Sequence, residues 1–326
     1  MRTPFSVRAP VLSALLISMA CTADDLVIDD VPTDAPSVFA QHFSKYVDVM
    51  GVGVYATASS ADEKVLHCAR TLAQFIDNDE NGTPDNLLVH QRMVDDRAAM
   101  VMWRNFSQAE NSDFWDDVDE SVADSLQDLM ASETIPNWQE IQQFDAALEE
   151  CFHLVNFVGY ARVYPDVFGE QPGSQVAQAM DLNIANGYFH YDDPTCDYRC
   201  KIIEYTYWAM TSILGAQDEP WRRQEIADEW ELYSAELVQS LDPSIHALLM
   251  NPVYELPVVL PDAVYSPAPS CTADYDGSGR VDGTDLSLLL GFWGLEAPDY
   301  DLDGNALIDG ADLAGLLGAW GLCSNG

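Results

Sequence analysis

The chain has 326 residues, and 54 acidic against 14 basic side chains give it a formal net charge of −40. Such a charge repels nucleic acid and anionic lipid and favours cations as partners. Near the N-terminus, a basic start precedes an apolar stretch from Val11 to Ala20, which is too short to span a bilayer and is typical of a secretory signal peptide. The sequence therefore predicts a secreted or cell-surface protein without a membrane span.

Seven cysteines in an exported chain favour disulfide bonds over thiol chemistry. With Cys21 set aside at the processed terminus, six remain. Two of them lie four residues apart, and two more bracket the C-terminal segment. The remaining two cysteines are assigned to each other by elimination. A zinc site at the close pair would need a second cysteine pair. The predicted disulfides are Cys196–Cys200, Cys271–Cys323 and Cys68–Cys151.

Residues 24–250 read as one body of helices with a small sheet. Apolar residues from Val38 to Val47 keep helical spacing, and Ser60 with Glu63 forms a capping-box pattern before a helix that reaches Ile76. Five prolines between Asn251 and Ser270 indicate an extended connector. The predicted class is a mainly α body with a small β-sheet (α+β), followed by a small all-α module with two calcium loops. The predicted strands are 51–57 and 98–103, the later helices are 144–160, 174–186, 199–215 and 222–240, and the segments are 1–23, 24–250, 251–270 and 271–326.

A short acidic loop follows the helix that ends at Ile76. Asp77, Asp79, Asn81 and Asp85 occupy positions 1, 3, 5 and 9, with glycine at position 6, whereas position 12 is Leu88. Alternating oxygen side chains in a tight loop suit calcium. The loop resembles those of thrombospondin type 3 repeats, which implies one calcium ion in the body. A plain turn made by Asn-Gly and Pro is the alternative.

The helix predicted at 144–160 carries the strongest candidate for chemistry. Glu149 and His153 stand at i and i+4 on one face, with Glu150 beside them. Far downstream, Glu204 is a lone carboxylate among apolar and aromatic residues. Burial of an unpaired carboxylate costs several kcal/mol, so Glu204 needs a metal, a cation or a proton.

This Glu-Glu-x-x-His pattern is similar to the His-Glu-x-x-His of gluzincin metallopeptidases. The resemblance implies that Glu149, His153 and Glu204 bind one divalent transition metal such as Zn²⁺, and that Glu150 is the general base. Glu149 departs from the family, which has histidine there. A carboxylate in place of imidazole makes the site harder and brings manganese, iron or calcium into consideration.

Other interpretations of these residues stay open. Glu150-x-x-His153 is also half of a di-iron site similar to ferritin-like bundles, although the sequence has no second copy of the pattern. A solvated edge at Glu149 with a core histidine would need no metal. His190, in an aromatic cluster, is a weaker candidate for a metal ligand or for polarising a substrate carbonyl. A pair of carboxylates with glycosidase chemistry also stays open, because the distance between two carboxyl groups in the fold cannot be read from the sequence.

The C-terminal segment contains one twelve-residue pattern twice, 27 residues apart. Oxygen side chains fall at positions 1, 3, 5, 9 and 12, and a backbone carbonyl at position 7 adds a ligand, which suits calcium. One apolar helix follows each loop. The predicted ligands are Asp274, Asp276, Ser278, Arg280, Asp282 and Asp285 in the first loop, and Asp301, Asp303, Asn305, Leu307, Asp309 and Asp312 in the second.

A loop followed by one helix, with Asp closing the loop, resembles a type I dockerin over about residues 271–323. The resemblance implies two calcium ions and a cohesin-like partner on a scaffold or cell surface. Val281 and Ile308, at position 8, are predicted to pair across the loops. Ala306 stands at position 6, where glycine makes the sharp turn, so the second loop is predicted to be strained and weaker.

The first functional hypothesis is an exported metallohydrolase, peptidase-like in chemistry, delivered to a surface by its C-terminal module. A second is a catalytically silent adhesion or binding protein with a structural metal. A third, suggested by the C-terminal module alone, is a polysaccharide-degrading enzyme.

Overall fold

A computed structural model describes residues 26–267, 272–276, 278 and 280–322 of the chain. The predicted signal peptide and the predicted Cys271–Cys323 bond lie outside these residues. Within the described ranges, no helix combines the length and the apolar character that crossing a membrane requires.

The described residues form many short helices around one small sheet, with a separate pair of helices near the C-terminus. A π-helical segment, Val155–Tyr160, continues α8, and a 3₁₀ turn covers Pro298–Tyr300. In chain order the elements are α1 Ser37–His42, β1 Lys45–Val49, β2 Val52–Ala56, α2 Asp62–Ile76, α3 Leu87–Asp95, β3 Ala99–Trp103, α4 Phe106–Glu110, α5 Phe114–Asp117, α6 Glu120–Ala123, β4 Leu126–Met130, α7 Trp138–Ile141, α8 Ala146–Leu154, α9 Ala161–Val163, α10 Pro165–Phe168, α11 Gln175–Asn186, α12 Tyr198–Ile213, α13 Pro220–Glu225, α14 Ala235–Leu241, α15 Pro243–Leu249, β5 Arg280–Val281, α16 Gly283–Gly291, α17 Gly310–Gly318 and β6 Gly321–Leu322.

The sheet of the body has the strand order β1-β2-β3-β4. Strands β1 and β2 are antiparallel, and Met50 and Gly51 between them both have positive φ, as a two-residue hairpin of matching twist requires. Strands β2, β3 and β4 are parallel, so helices connect them. The predicted α+β class of the body is confirmed.

The two faces of the sheet belong to two different buried clusters, because successive side chains of a strand point to opposite sides. Val54 and Met102 lie in the large cluster that includes α2 and α8. Tyr55 and Trp103 lie in a smaller cluster on the other face, with Phe39. The helix that carries Glu149 and His153 therefore packs on one face only.

Two sequence predictions in the first half of the body are wrong, and one strand was not predicted. The predicted helix from Val38 ends at His42, because the following residues form β1 and pair with β2. The predicted capping box is absent: Ala61 caps α2, and the Ser60 hydroxyl faces Thr57 instead. Strand β4, at the edge of the sheet, was not predicted, since its sequence lacks β-branched residues.

The later helices follow the predictions more closely, with one exception. The predicted helix 222–240 is broken into α13 and α14. Between them Trp230 pairs through its backbone with Phe189, and Ser234 caps α14. A backbone pairing between distant segments thus replaces the middle of the predicted helix. The spacing of apolar residues within one segment could not reveal that pairing.

The proline-rich connector packs along the body rather than extending away from it, at least as far as Ser266. The Asn78 side-chain oxygen accepts from the Val258 and Val259 amides at 2.8 and 2.9 Å, and its amide donates to the Val259 carbonyl. The Tyr265 hydroxyl donates to Asp77 at 2.6 Å. The connector is therefore attached to the acidic loop that follows α2.

The C-terminal module places one helix after each loop, as predicted, and adds the two-residue pair β5–β6. Val281 and Ile308 are fully buried in one small cluster. Their backbones have other partners, since Val281 pairs with Gly321 and the Ile308 amide donates to the Leu295 carbonyl. The two side chains share a core instead of a ladder.

Candidate metal centre and calcium loops

Helix α8 is held in place by a buried capping residue. Asp145 accepts from the Ala147 amide at its own helix and from the Ile135 amide at 2.7 Å. Its other oxygen lies 2.6 Å from His67 Nε2 on α2, and both side chains are buried. The contact between Asp145 and His67 fixes α8 against α2. It thereby fixes the orientation of the α8 face that carries Glu149 and His153.

Helix α12 brings Glu204 to that face. Asp197 caps the helix by accepting from the Cys200 amide, and Cys196 forms the predicted disulfide with Cys200. The helix interior is buried over most of its length, whereas the Glu204 side chain keeps 13% of its surface exposed. Glu204 thus lies at the edge of the core and faces α8.

Glu149, His153 and Glu204 converge as predicted. Each offers one ligand atom, and these atoms all lie within 4.8 Å of one another. His153 Nε2 is 3.8 Å from Glu204 Oε2, too far for a hydrogen bond but suited to two ligands of one ion about 2 Å from each. This donor set fits a divalent cation.

The imidazole of His153 provides a second indication. It is only 4% exposed, and its Nε2 is a buried polar atom without a hydrogen-bond partner among the described residues. Buried polar atoms are nearly always satisfied, so this nitrogen beside two carboxylates is suited to bind a metal ion.

The carboxyl groups are costly to ionise in this place. Burial, and then the neighbouring charge of Glu150, raises the pKa of Glu149 to about 7. Burial also raises the pKa of Glu204 to about 7, with His153 opposing the rise. A divalent cation is the simplest group that would keep both carboxylates charged at neutral pH.

A buried network stands behind Glu149. The Tyr207 hydroxyl approaches Glu149 and lowers the pKa of that carboxyl against the effect of burial. Gln217 Nε2 lies 3.3 Å and an Arg222 nitrogen 3.4 Å from the same hydroxyl. Outer contacts of this kind orient metal ligands. Sequence analysis missed Tyr207, because the link between α12 and α13 is not readable from spacing.

Glu150 has a different position from the other three residues. Its Oε2 accepts from Gln127 Nε2 at 2.5 Å and lies 3.5 Å from His153 Nδ1, the ring nitrogen that faces away from Glu204. Burial, and then the charge of Asp128, raises the pKa of Glu150 to about 8. The structure therefore brings Glu150 to the outer side of the imidazole.

Known proteins give no guide to this site. No family model, curated protein or solved structure matches the chain. The function of the centre is therefore inferred from its geometry alone.

The acidic loop after α2 also gathers its predicted ligands. Ligand atoms of Asp77, Asp79 and Asp85 lie within 4.8 Å of one another. Asp77 accepts from the Asn81 and Gly82 amides, which closes the loop around its carboxylate. Burial raises the pKa of Asp85 to about 6. Leu88, at position 12, is exposed and contributes no oxygen.

The two C-terminal loops show the same arrangement. Asp274 and Asp276 approach Asp285, and Asp301 and Asp303 approach Asp312, within 4.8 Å in each group. Both position-12 aspartates are fully buried and accept backbone amides of their own loop. Each also completes a capping box with the position-9 aspartate before it, so loop and helix form one unit.

The strain predicted in the second loop is present, because Ala306 has a φ of +67°. We expect Ala306→Gly to tighten calcium binding at this loop severalfold, since glycine adopts that conformation without the side-chain penalty. Calorimetric titration of calcium measures the change. Ala311→Gly, within α17, is the control and is expected to weaken the helix instead. Equal effects of both substitutions would contradict the role assigned to strain.

Two further predicted groups differ from expectation. His190 is exposed, its Nε2 lies 2.9 Å from the Gly187 carbonyl, and the structure does not bring it into the metal cluster. Cys68 and Cys151 are buried together with their sulfur atoms 3.8 Å apart, as free thiols. The predicted Cys68–Cys151 pair is therefore adjacent but not joined, since a disulfide needs about 2.05 Å.

Proposed function

We propose that the body is a metal-dependent hydrolase, peptidase-like in chemistry, whose ion is held by Glu149, His153 and Glu204. The observation that carries this is the convergence of the three ligand atoms on an unpartnered, buried imidazole nitrogen. When bound, the ion would supply Lewis-acid polarisation of a scissile carbonyl. The Glu150 and Glu204 side chains keep 25% and 13% of their surface exposed, so the edge of the cluster is in contact with solvent.

Side chains of the protein position the metal ligands and handle the proton of the reaction. Tyr207 holds Glu149, and α12 holds Glu204 against α8. Glu150 is the carboxylate outside the ligand set, and to accept the proton of the attacking water its side chain must turn from Gln127 and His153 Nδ1 toward the ion.

A second candidate is a catalytically silent binding protein, and one observation favours it. Glu150 is engaged by Gln127 and faces His153 Nδ1, which is the place of a residue that orients a ligand histidine. Glu150→Gln separates the two. If Glu150 is the base, the Glu150→Gln variant should keep its metal and lose hydrolysis. If Glu150 orients His153, the variant should bind the metal about 10- to 100-fold more weakly.

The experiment that tests the proposal is metal analysis of the full chain. We expect His153→Ala and Glu204→Gln each to lose one equivalent of transition metal, because the remaining two ligands cannot hold it. His246→Ala and the exposed Glu63→Gln are the matched controls and should keep it. Wild-type protein that retains no transition metal after exposure to zinc, manganese or iron would refute the site.

For the C-terminal module we propose two bound calcium ions and attachment to a cohesin-like protein on a scaffold or surface. A third calcium ion is proposed for Asp77, Asp79, Asn81 and Asp85. Apolar side chains at equivalent places in the two repeats support the attachment role, because large exposed apolar residues in pairs favour a docking surface. These are Leu290 and Leu317, and Trp293 and Trp320, each between 46% and 51% exposed.

A further inference from the structure

A cavity of about 220 Å³ lies on the side of the sheet away from α8. It belongs to the face that carries Tyr55, and Tyr46 stands beside it with the two ring centres 5.0 Å apart. The metal centre packs on the opposite face, so the two places are distinct. Pockets for drug-sized ligands measure roughly 300–1,000 Å³, which makes this one suited to a ligand of a single ring.

The cavity is shaped by residues that a plain core would not need. Gly53 lies between the two tyrosines, and a Cβ there would come within 2.7 Å of the Tyr55 ring and 3.0 Å of the Tyr46 ring. Arg97, at the rim, has a φ of +56° after the end of α3, a place that usually requires glycine. Strained backbone of this kind tends to occur at binding sites.

Three polar groups around the cavity have no partner in the described ranges. The hydroxyl of the largely buried Tyr55 makes no hydrogen bond there, and the exposed Arg97 guanidinium and Asp34 carboxylate make no hydrogen bond or ion pair with the protein. An anion would meet Asp34 and the strong negative charge of the chain, whereas a cation would meet Arg97. A neutral ring that carries several hydroxyl groups satisfies both charged groups and packs its apolar face on tyrosine.

From this arrangement we infer that the sheet cavity binds one ring of a neutral sugar. Tyr46 and Tyr55 form the stacking surface, and Arg97 and Asp34 recognise neighbouring hydroxyl groups. This binding site is independent of the proposed hydrolase centre and would hold the protein on carbohydrate whether or not the metal is present.

The test uses the full chain with methyl glycosides of glucose, galactose, mannose and N-acetylglucosamine, measured by saturation-transfer NMR and calorimetry. We expect at least one glycoside to bind, and Arg97→Gly to weaken it at least tenfold. Glycine suits the left-handed backbone at that position, so this variant keeps the fold. Gln142→Gly makes the same backbone change at a site with a φ of +55° outside the cavity lining and should leave binding unchanged.

A second variant and two control ligands complete the design. Gly53→Ala should abolish glycoside binding by displacing the tyrosine rings. Methyl glucuronoside and p-cresol represent an anionic sugar and a plain aromatic ring. Binding of either one more tightly than every neutral glycoside, binding unchanged by Arg97→Gly, or no glycoside binding at all would overturn the inference.

Discussion

Removal of calcium is expected to unfold the C-terminal module and leave the sheet of the body folded. Each loop holds three aspartate oxygens within 4.8 Å of one another. Two unit charges at that separation repel by about 1 kcal/mol in water and about 3.5 kcal/mol in the intermediate dielectric of a protein surface. Without a cation this repulsion acts on every pair in both loops.

The module has little to set against that repulsion. Among the described residues its buried cluster is small, with partly buried apolar side chains around it, and consists of Ala273, Val281, Leu289, Ala297, Ile308 and Leu316. Domains of this size rarely gain more than 3–5 kcal/mol from a hydrophobic core and usually depend on metals or disulfides. The loop aspartates also cap α16 and α17, so loss of loop geometry removes the start of each helix. Loop and helix should therefore unfold together.

Hydrogen exchange with mass spectrometry measures this region by region in the full chain. Peptides that cover α16 and α17 should lose protection in excess chelator and regain it with calcium, while peptides from β2 and β3 keep theirs. Asp312→Asn should show the loss at lower chelator concentration. Asp299→Asn, in the module but outside both loops, is its control. Full protection of both helices in chelator would contradict the calcium-dependent fold.

Some of this architecture can be read from sequence because its causes are local. The ligands of each calcium loop lie within twelve residues, so spacing alone specifies which oxygens meet. Glu149 and His153 are one helical turn apart for the same reason. Glu204 could be added only through an energetic argument, since a lone carboxylate in an apolar helix needs a partner.

Other features depend on contacts between distant segments and were not predictable. Strand β1 forms because Lys45 to Val49 pair with β2, despite helical spacing that begins at Val38. Gln127 on β4 donates a hydrogen bond to Glu150, and the sequence pattern does not predict that strand. Tyr265 reaches Asp77 across 188 residues. In each case tertiary contacts decide a conformation or a side-chain direction for which local propensity is neutral or opposed.

The metal-free body is expected to lose stability as pH rises from 5 to 8. Glu149 and Glu204 have folded-state pKa values of about 7 against 4.5 for the free side chain, and burial is the main cause of both. The folded state therefore binds more protons than the unfolded state between these values. The associated stability is fully present below pH 4.5 and is lost as pH rises through 7.

A bound divalent ion should reverse this dependence, because it favours the ionised carboxylates that burial disfavours. Urea unfolding of metal-free protein at pH 5, 6, 7 and 8, with and without added zinc or manganese, measures both effects. Glu204→Gln removes one titrating group, so the metal-free variant should show a shallower dependence on pH and no gain from metal. Glu63→Gln, in the exposed first turn of α2, should behave as wild type. If stability without metal instead rose between pH 5 and 8, the carboxylates would be stabilised by the protein itself, and the need for an ion at this centre would disappear.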